Sequence, residues 1–172
     1  WVPPEYLRAL YDLLHDAGKA HGLRNFGGRA LNVLRLEKSF GTWAREFRPI
    51  YGPYEAGLGR FVHLDKPDFI GRAAAVAEKA AGGARKLVTL AVDADDADAM
   101  GDEPIWHGDK VVGWVTSGGY GHTVKQSLAL GYVEAGLANR GDGFEIEILG
   151  MRRPARILEK PPVDPEGSRM RS

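Results

Sequence analysis

Three charged residues close an apolar run at Leu34-Arg35-Leu36-Glu37-Lys38, and a carboxylate flanked by cations in that setting can hold a polar ligand. Glu37 could accept paired N–H donors from a flat ring, with Arg35 and Lys38 as its neighbours. The competing reading is a salt-bridged helix end, because exposed charges usually mean solvation. Phe40 follows at once and offers either a stacking face or a core aromatic. Trp43, Tyr51, Tyr54 and Glu55 lie in the stretch 41–59, which is rich in Gly, Pro and aromatics and long for a connection. Glycines on both sides let such a loop approach a flat ligand closely. The same aromatics could instead seal an interface between two pieces of the chain.

Other candidates are weaker. Residues 93–98, Asp-Ala-Asp-Asp-Ala-Asp, lack the glycine and the closing glutamate of a calcium loop and read as a solvated acidic loop. The histidines at 15, 21, 63, 107 and 122 show no metal-ligand spacing, so no metal is expected. Residues 116–122, Thr-Ser-Gly-Gly-Tyr-Gly-His, are Gly-rich but do not join a strand to a helix, which argues against a phosphate cradle. No residue pattern identifies a catalytic group.

These residues need positioning elements. Pro3-Pro4-Glu5 starts a helix, with Pro in the first turn and an acid near its positive end. Leu7, Leu10, Tyr11, Leu13 and Leu14 continue at helical spacing, and Gly18 and Gly22 mark the stop. A second helix is expected from about Arg29 to Glu37, with Ala30, Val33 and Leu34 on its buried side. Residues 61–64 suit a short strand. Residues 71–81 are Ala-rich and helical, closed by Gly82-Gly83, with Asp68 placed to cap that helix and Phe69-Ile70 to pack. Beyond Gly83 the texture becomes β-rich: 86–92, 104–106, 111–116, 127–133, 144–149 and 154–158, with turns at 107–110 and from Gly150. Six short strands at this spacing suggest a small barrel or sandwich. The expected boundary therefore divides an α-rich piece, 1–82, from a β domain, 83–172. Residues 161–172 read as a polar, frayed tail.

The chain has 172 residues, enough to bury a real core. Lys plus Arg equals Asp plus Glu, 23 against 23, so no global field draws in nucleic acid or an anionic membrane. The absence of cysteine excludes disulfides and a thiol nucleophile, and fits a reducing cytoplasm. No apolar run approaches the roughly 18 residues of a membrane span, and no signal-peptide pattern is seen. Trp1-Val2 is an unusual opening, and a fragment with exposed apolar surface, prone to self-association, is expected from it.

The ordered segments LRLEK, PYEAGL, LDK and DFIGR between Leu34 and Arg72 resemble the folate-binding aminomethyltransferase family, the glycine-cleavage T-protein superfamily. The nearest likeness is to the carboxy-terminal part of dimethylglycine and sarcosine dehydrogenases. The resemblance implies an α+β fold: the helical and loop remainder of the folate domain, followed by a small antiparallel β-barrel. It implies a tetrahydrofolate-dependent one-carbon transfer module, with FAD on a separate domain and a small N-methylated amine as the parent's substrate. Partners would be the amino-terminal half of the folate domain and a flavin domain. The alternative is a non-catalytic folate-binding or scaffold relative.

The candidate cofactor-binding residues are Phe40, Trp43, Tyr54, Glu55, Arg35 and Glu37; the resemblance adds little at Arg35 and Glu37, because the family's best-known pterin-binding carboxylate lies elsewhere. Phe40 replaces a tyrosine of several relatives, keeping the ring and losing the hydroxyl. Leu31 stands where the glycine-cleavage enzymes carry an arginine, which favours the dehydrogenase-linked subgroup. The family's pterin-binding carboxylate and its catalytic acid belong to segments before the position of Trp1. Residues 118–120 match a turn of the family's barrel near the folate, and Arg169 or Arg171 could reach it from the tail. Gly167 and Ser168 occupy the region where relatives place a tyrosine.

Overall fold

The computed structural model describes residues 1–171, in two compact units that divide between Leu31 and Asn32. In the first unit a 3-10 turn, Pro4–Tyr6, leads into α1, Leu7–Lys19. The stop is chemical. The Leu23 amide donates to the Gly18 carbonyl (3.0 Å), and Gly22 takes the left-handed conformation (φ 72°). No residue of α1 is buried: Leu7, Tyr11, Leu13 and Leu14 are all exposed within the apolar stripe that the spacing predicts.

Helix α2, Gly28–Glu37, has its buried end in the second unit. The expectation of a buried face at Ala30, Val33 and Leu34 is wrong: Leu36 and Glu37 are buried and Leu34 is half exposed. The strand expected over 61–64 is a 3-10 turn, Gly59–Phe61, after which Arg72 donates to the Leu64 carbonyl through Nε (3.1 Å) and a terminal nitrogen (2.9 Å). Helix α3, Arg72–Ala81, ends as read, on left-handed Gly82. Asp68 does not cap it. The N-cap is Gly71, without a side-chain bond, and Ile70 is fully exposed rather than packed.

Six strands follow: β1 Arg85–Val92, β2 Pro104–His107, β3 Lys110–Gly121, β4 Gln126–Glu134, β5 Phe144–Ile148 and β6 Met151–Leu158. They close into a wholly antiparallel barrel in the order β1-β4-β3-β2-β5-β6, with β6 back on β1. Closure leaves no open sheet edge. Gly108 (φ 59°) opens the two-residue β2–β3 turn, and Leu149-Gly150, both at positive φ, make the β5–β6 turn. Leu90, Ile105, Val115, Val133, Ile146 and Phe144 fill the interior. β5 alternates between buried and half-buried residues, whereas β4 is buried on both faces along nearly its whole length. That is why SLALGYV reads as an unbroken apolar run. The outer side of β1, β4 and β3 meets the end of α2 and the following loop: Thr89 donates to Ser39 (2.8 Å), and Tyr51 stacks on Tyr132 at 3.7 Å between ring centres.

Residues 116–121, expected as a Gly-rich turn, lie within β3, and the turn comes after them at 122–125. The tail is not frayed over its first half. The Val163 amide donates to the Glu37 carbonyl (3.1 Å), and residues 161–164 are half-buried. Ser172 lies outside the described residues. Among those described, no helix is long and apolar enough to cross a membrane.

Candidate functional site

Three charged residues at and just after the end of α2 hold it down, each in a different direction. Glu37, almost fully buried, accepts from the Thr123 amide (2.6 Å) and hydroxyl (2.7 Å), tying the helix to the β3–β4 turn. Lys38 reaches Asp164 in the tail (3.1 Å). Arg35 turns inward and donates to Asn32 (2.6 and 3.0 Å), the Phe40 carbonyl (3.2 Å), Ser117 (2.7 Å) and Glu46 (3.3 Å).

Glu46 is the centre of this arrangement, and nothing in the sequence reading singled it out. It is completely buried. Its Oε1 accepts from Thr116 (2.7 Å) and Ser117 (2.6 Å), and its Oε2 from the Thr42 amide (2.8 Å) and Arg35. Two consecutive strand residues normally point to opposite faces. Here a bulge between Val115 and Ser117 interrupts the pairing of β3 with β4, and Thr116 is the extra residue. The bulge re-aims Thr116 so that both hydroxyls meet one carboxylate oxygen. Burial lowers the Arg35 pKa and the Glu46 charge opposes that fall. Tyr132 donates to the Glu46 carbonyl (2.9 Å), and burial, with Tyr51 and Glu46 beside it, pushes its hydroxyl up beyond the ordinary tyrosine range.

The other predicted residues separate. Glu55 accepts from the Ala84 (2.8 Å) and Arg85 (3.0 Å) amides, and its carbonyl accepts from Leu87 (2.9 Å), so it pins the loop to the start of β1. Tyr54 and Glu55 both donate their amides to Glu78 of α3 (2.9 and 3.0 Å). The Tyr54 hydroxyl is buried with no partner among the described residues. Tyr51, whose hydroxyl accepts from Trp114 (3.1 Å), takes the sealing role foreseen for the loop aromatics. Trp43 is 78% exposed and Phe40 43%.

Phe40 edges a cavity of about 330 Å³ together with Lys38, Gly57, Arg60, Lys160 and Pro161, at the small end of the range for ligand sites. This pocket brings one predicted aromatic beside Arg60, Lys38 and Lys160, the two lysines paired with Asp164 and Glu166, and beside the acid Glu159. A flat, anionic ligand asks for two things: faces to stack on, and a carboxylate for the ring's N–H edge. Phe40 and Trp43 fit the first. Glu37, Glu46 and Glu55 do not fit the second, since each is already spent on protein donors.

The tail contact is pH-sensitive. Asp164 is lowered to about 2 from 3.8, chiefly by the hydrogen bond from the Ser168 hydroxyl (2.7 Å) and then by Lys38. A depressed carboxylate contributes stability that is complete above its unfolded value and is lost as pH falls through the folded one. Acid titration followed by the Val163 and Ser168 amide resonances is expected to show the tail loosening between 3.8 and about 2. Asp164→Asn should abolish that transition. A midpoint at or above the ordinary carboxylate value would contradict it.

Two family models match the chain in sequence order: the GCVT N-terminal domain over residues 1–66, and the glycine cleavage T-protein C-terminal barrel domain over 85–164. The chain belongs to the glycine-cleavage T-protein superfamily. Human mitochondrial dimethylglycine dehydrogenase is 46% identical over 164 residues, covering 95% of this chain and 19% of the relative. An aminomethyltransferase of Desulfitobacterium hafniense is 33% identical over 158 residues, covering 92% of this chain and 43% of the relative. In three dimensions the glycine cleavage system aminomethyltransferase T of Bartonella henselae matches at a TM-score of 0.81 and 24% identity, over 95% of this chain and 45% of that one. The chain thus spans about a fifth of the dehydrogenase and under half of the transferases. The α+β fold ending in a six-stranded barrel is the one the resemblance implied.

Proposed function

We propose that this chain is the carboxy-terminal part of a tetrahydrofolate-dependent one-carbon transfer module, within a larger N-methyl-amine dehydrogenase of the dimethylglycine or sarcosine kind. The observation that carries this is the order and extent of the family match, with a dehydrogenase relative aligned along 95% of the chain. Residues 1–82 would complete the folate domain and residues 83–172 form the barrel behind it. The amino-terminal half of that domain and a flavin domain would be the partners, and FAD would reside on the latter. The pterin-edge carboxylate and the proton-handling acid are assigned to the partner half, in keeping with the occupied state of Glu37, Glu46 and Glu55. Phe40, with the exposed Trp43 outside the cavity, would supply stacking, and Arg60 and Lys160 charge for an anionic tail, Lys38 being held by Asp164. A cysteine-free chain suits a reducing compartment. The human relative is mitochondrial by name, so the cytoplasm has no preference over a mitochondrial one.

The test is a tetrahydrofolate titration of the isotopically labelled chain. Amide shifts are expected at residues 38–43 and around Arg60 and Lys160, and no formaldehyde or methylene product should form from dimethylglycine. Turnover by this chain would overturn the division of labour. A titration that moved no amide would favour the scaffold reading instead.

A further inference from the structure

We propose that the mouth of the barrel binds a small aliphatic ammonium ion. A cavity of about 660 Å³ opens there, lined by the acidic loop 93–98, Tyr120, Lys125 and Ser127. Among the lining residues is Ser127, the first inward residue of β4, on the same side of the strand as the core residues Ala129 and Val133. Ser127 pairs across with Val92 of β1 and Tyr120 of β3. It is 2% exposed, and its hydroxyl has no hydrogen-bond partner among the described residues. Buried polar groups are nearly always paired, so an orphan hydroxyl facing a cavity points to something bound there.

The charge at the mouth gives the sign of that ligand. Asp96 is held by Arg153 at 2.7 Å. The carboxylates of Asp93, Asp95 and Asp98 have no hydrogen bond or ion pair among the described residues, and Lys125, which also lines the cavity, has no ion-pair partner among them. Four carboxylates therefore face two cations. A bare metal ion is the wrong occupant, because among the described residues no group of three acidic or imidazole side chains is placed to hold one. Direct coordination needs oxygens at about 2.3–2.6 Å from a common centre. An ammonium carries three N–H donors and can reach dispersed carboxylates and the Ser127 oxygen by hydrogen bonds. Its alkyl part would lie against Val92, Ala94 and Ala97, which join the core at this end, and the Tyr120 ring offers a face to the charge.

Titration of the labelled chain with putrescine at constant ionic strength tests this. Saturable amide shifts are expected at residues 93–98, 120 and 125–127. Charge-assisted hydrogen bonds make each of Asp95→Asn and Asp98→Asn weaken binding by roughly tenfold. Ser127→Ala removes a hydroxyl that makes no bond in the free protein, so this variant should fold as well as the parent and still bind several-fold more weakly. The proposal fails if no shift saturates, if sodium chloride alone reproduces the shifts, or if the three substitutions leave the constant unchanged. It also fails if calcium binds the same residues more tightly than the diamine, or if a lysine-bearing peptide does so.

Discussion

Replacing Glu46 by alanine is expected to cost about 3–5 kcal/mol, a large share of the stability of a domain this size. Arg35 would keep its guanidinium, 14% exposed, against a hole, and the Thr116 and Ser117 hydroxyls would lose their acceptor together. The penalty arises mostly from what is left behind, since a buried charge without its partner cannot recover its hydration. Pairing Glu46→Leu with Arg35→Met should therefore restore part of the loss, as both charges leave together. Equilibrium unfolding in denaturant measures both effects through the midpoint. A single-substitution loss under about 1 kcal/mol would mean that the network is solvated and worth no more than a surface pair.

Gly118→Ala is expected to be nearly as damaging. A Cβ at this position would stand 2.2 Å from the Ala99 carbonyl oxygen, a backbone atom in a residue that is itself fully buried. Neither side can yield easily, because Gly118 is held in register opposite Ala129 of β4. Overpacking of this kind costs typically about 1–3 kcal/mol, and more where backbone must move. Gly119→Ala, by comparison, meets nothing nearer than Leu36 at 3.6 Å but is strained by its φ of 156°. Thermal unfolding of Gly118→Ala should show the midpoint falling by several degrees. An unchanged midpoint would show that the Ala99 segment moves aside freely.

The contrast between these two sites explains what could be read from the chain. Strands and their turns are legible because β-rich runs bounded by glycine turns are local signals, alternating in β5 and continuously apolar in β4, although β3 runs on to Gly121 beyond the expected 116. Helix α3 and its glycine stop were legible for the same reason. Gly118 reads as part of a turn in the sequence, since the bulge at Thr116 and the long pairing with β4 depend on a partner strand. Glu46 was missed because a glutamate between Arg45 and Phe47 looks like any loop charge until Thr116 and Ser117, some seventy residues on, arrive beside it. Arg35 and Glu37 stood out for their spacing after an apolar run, and their side chains turn out to be fasteners of α2 to the barrel. Asp68 misled because acidic residues so often cap helices, while here left-handed Gly71 sets the start of α3.

On the proposed division of labour this chain supplies the stacking and tail-binding parts of a folate site, and the partner half supplies the pterin-edge carboxylate. Two charge-assisted hydrogen bonds of about 1.5–3 kcal/mol each are then missing, which weakens binding by roughly two to four powers of ten. Calorimetry of the chain with tetrahydrofolate measures this directly. The expected constant lies in the high micromolar to millimolar range, as an order of magnitude, and Phe40→Ala should weaken it further, by about fivefold for the loss of a stacking face. A low-micromolar constant that survives Phe40→Ala would contradict the account, placing the main determinants of folate binding on residues assigned here to the fold.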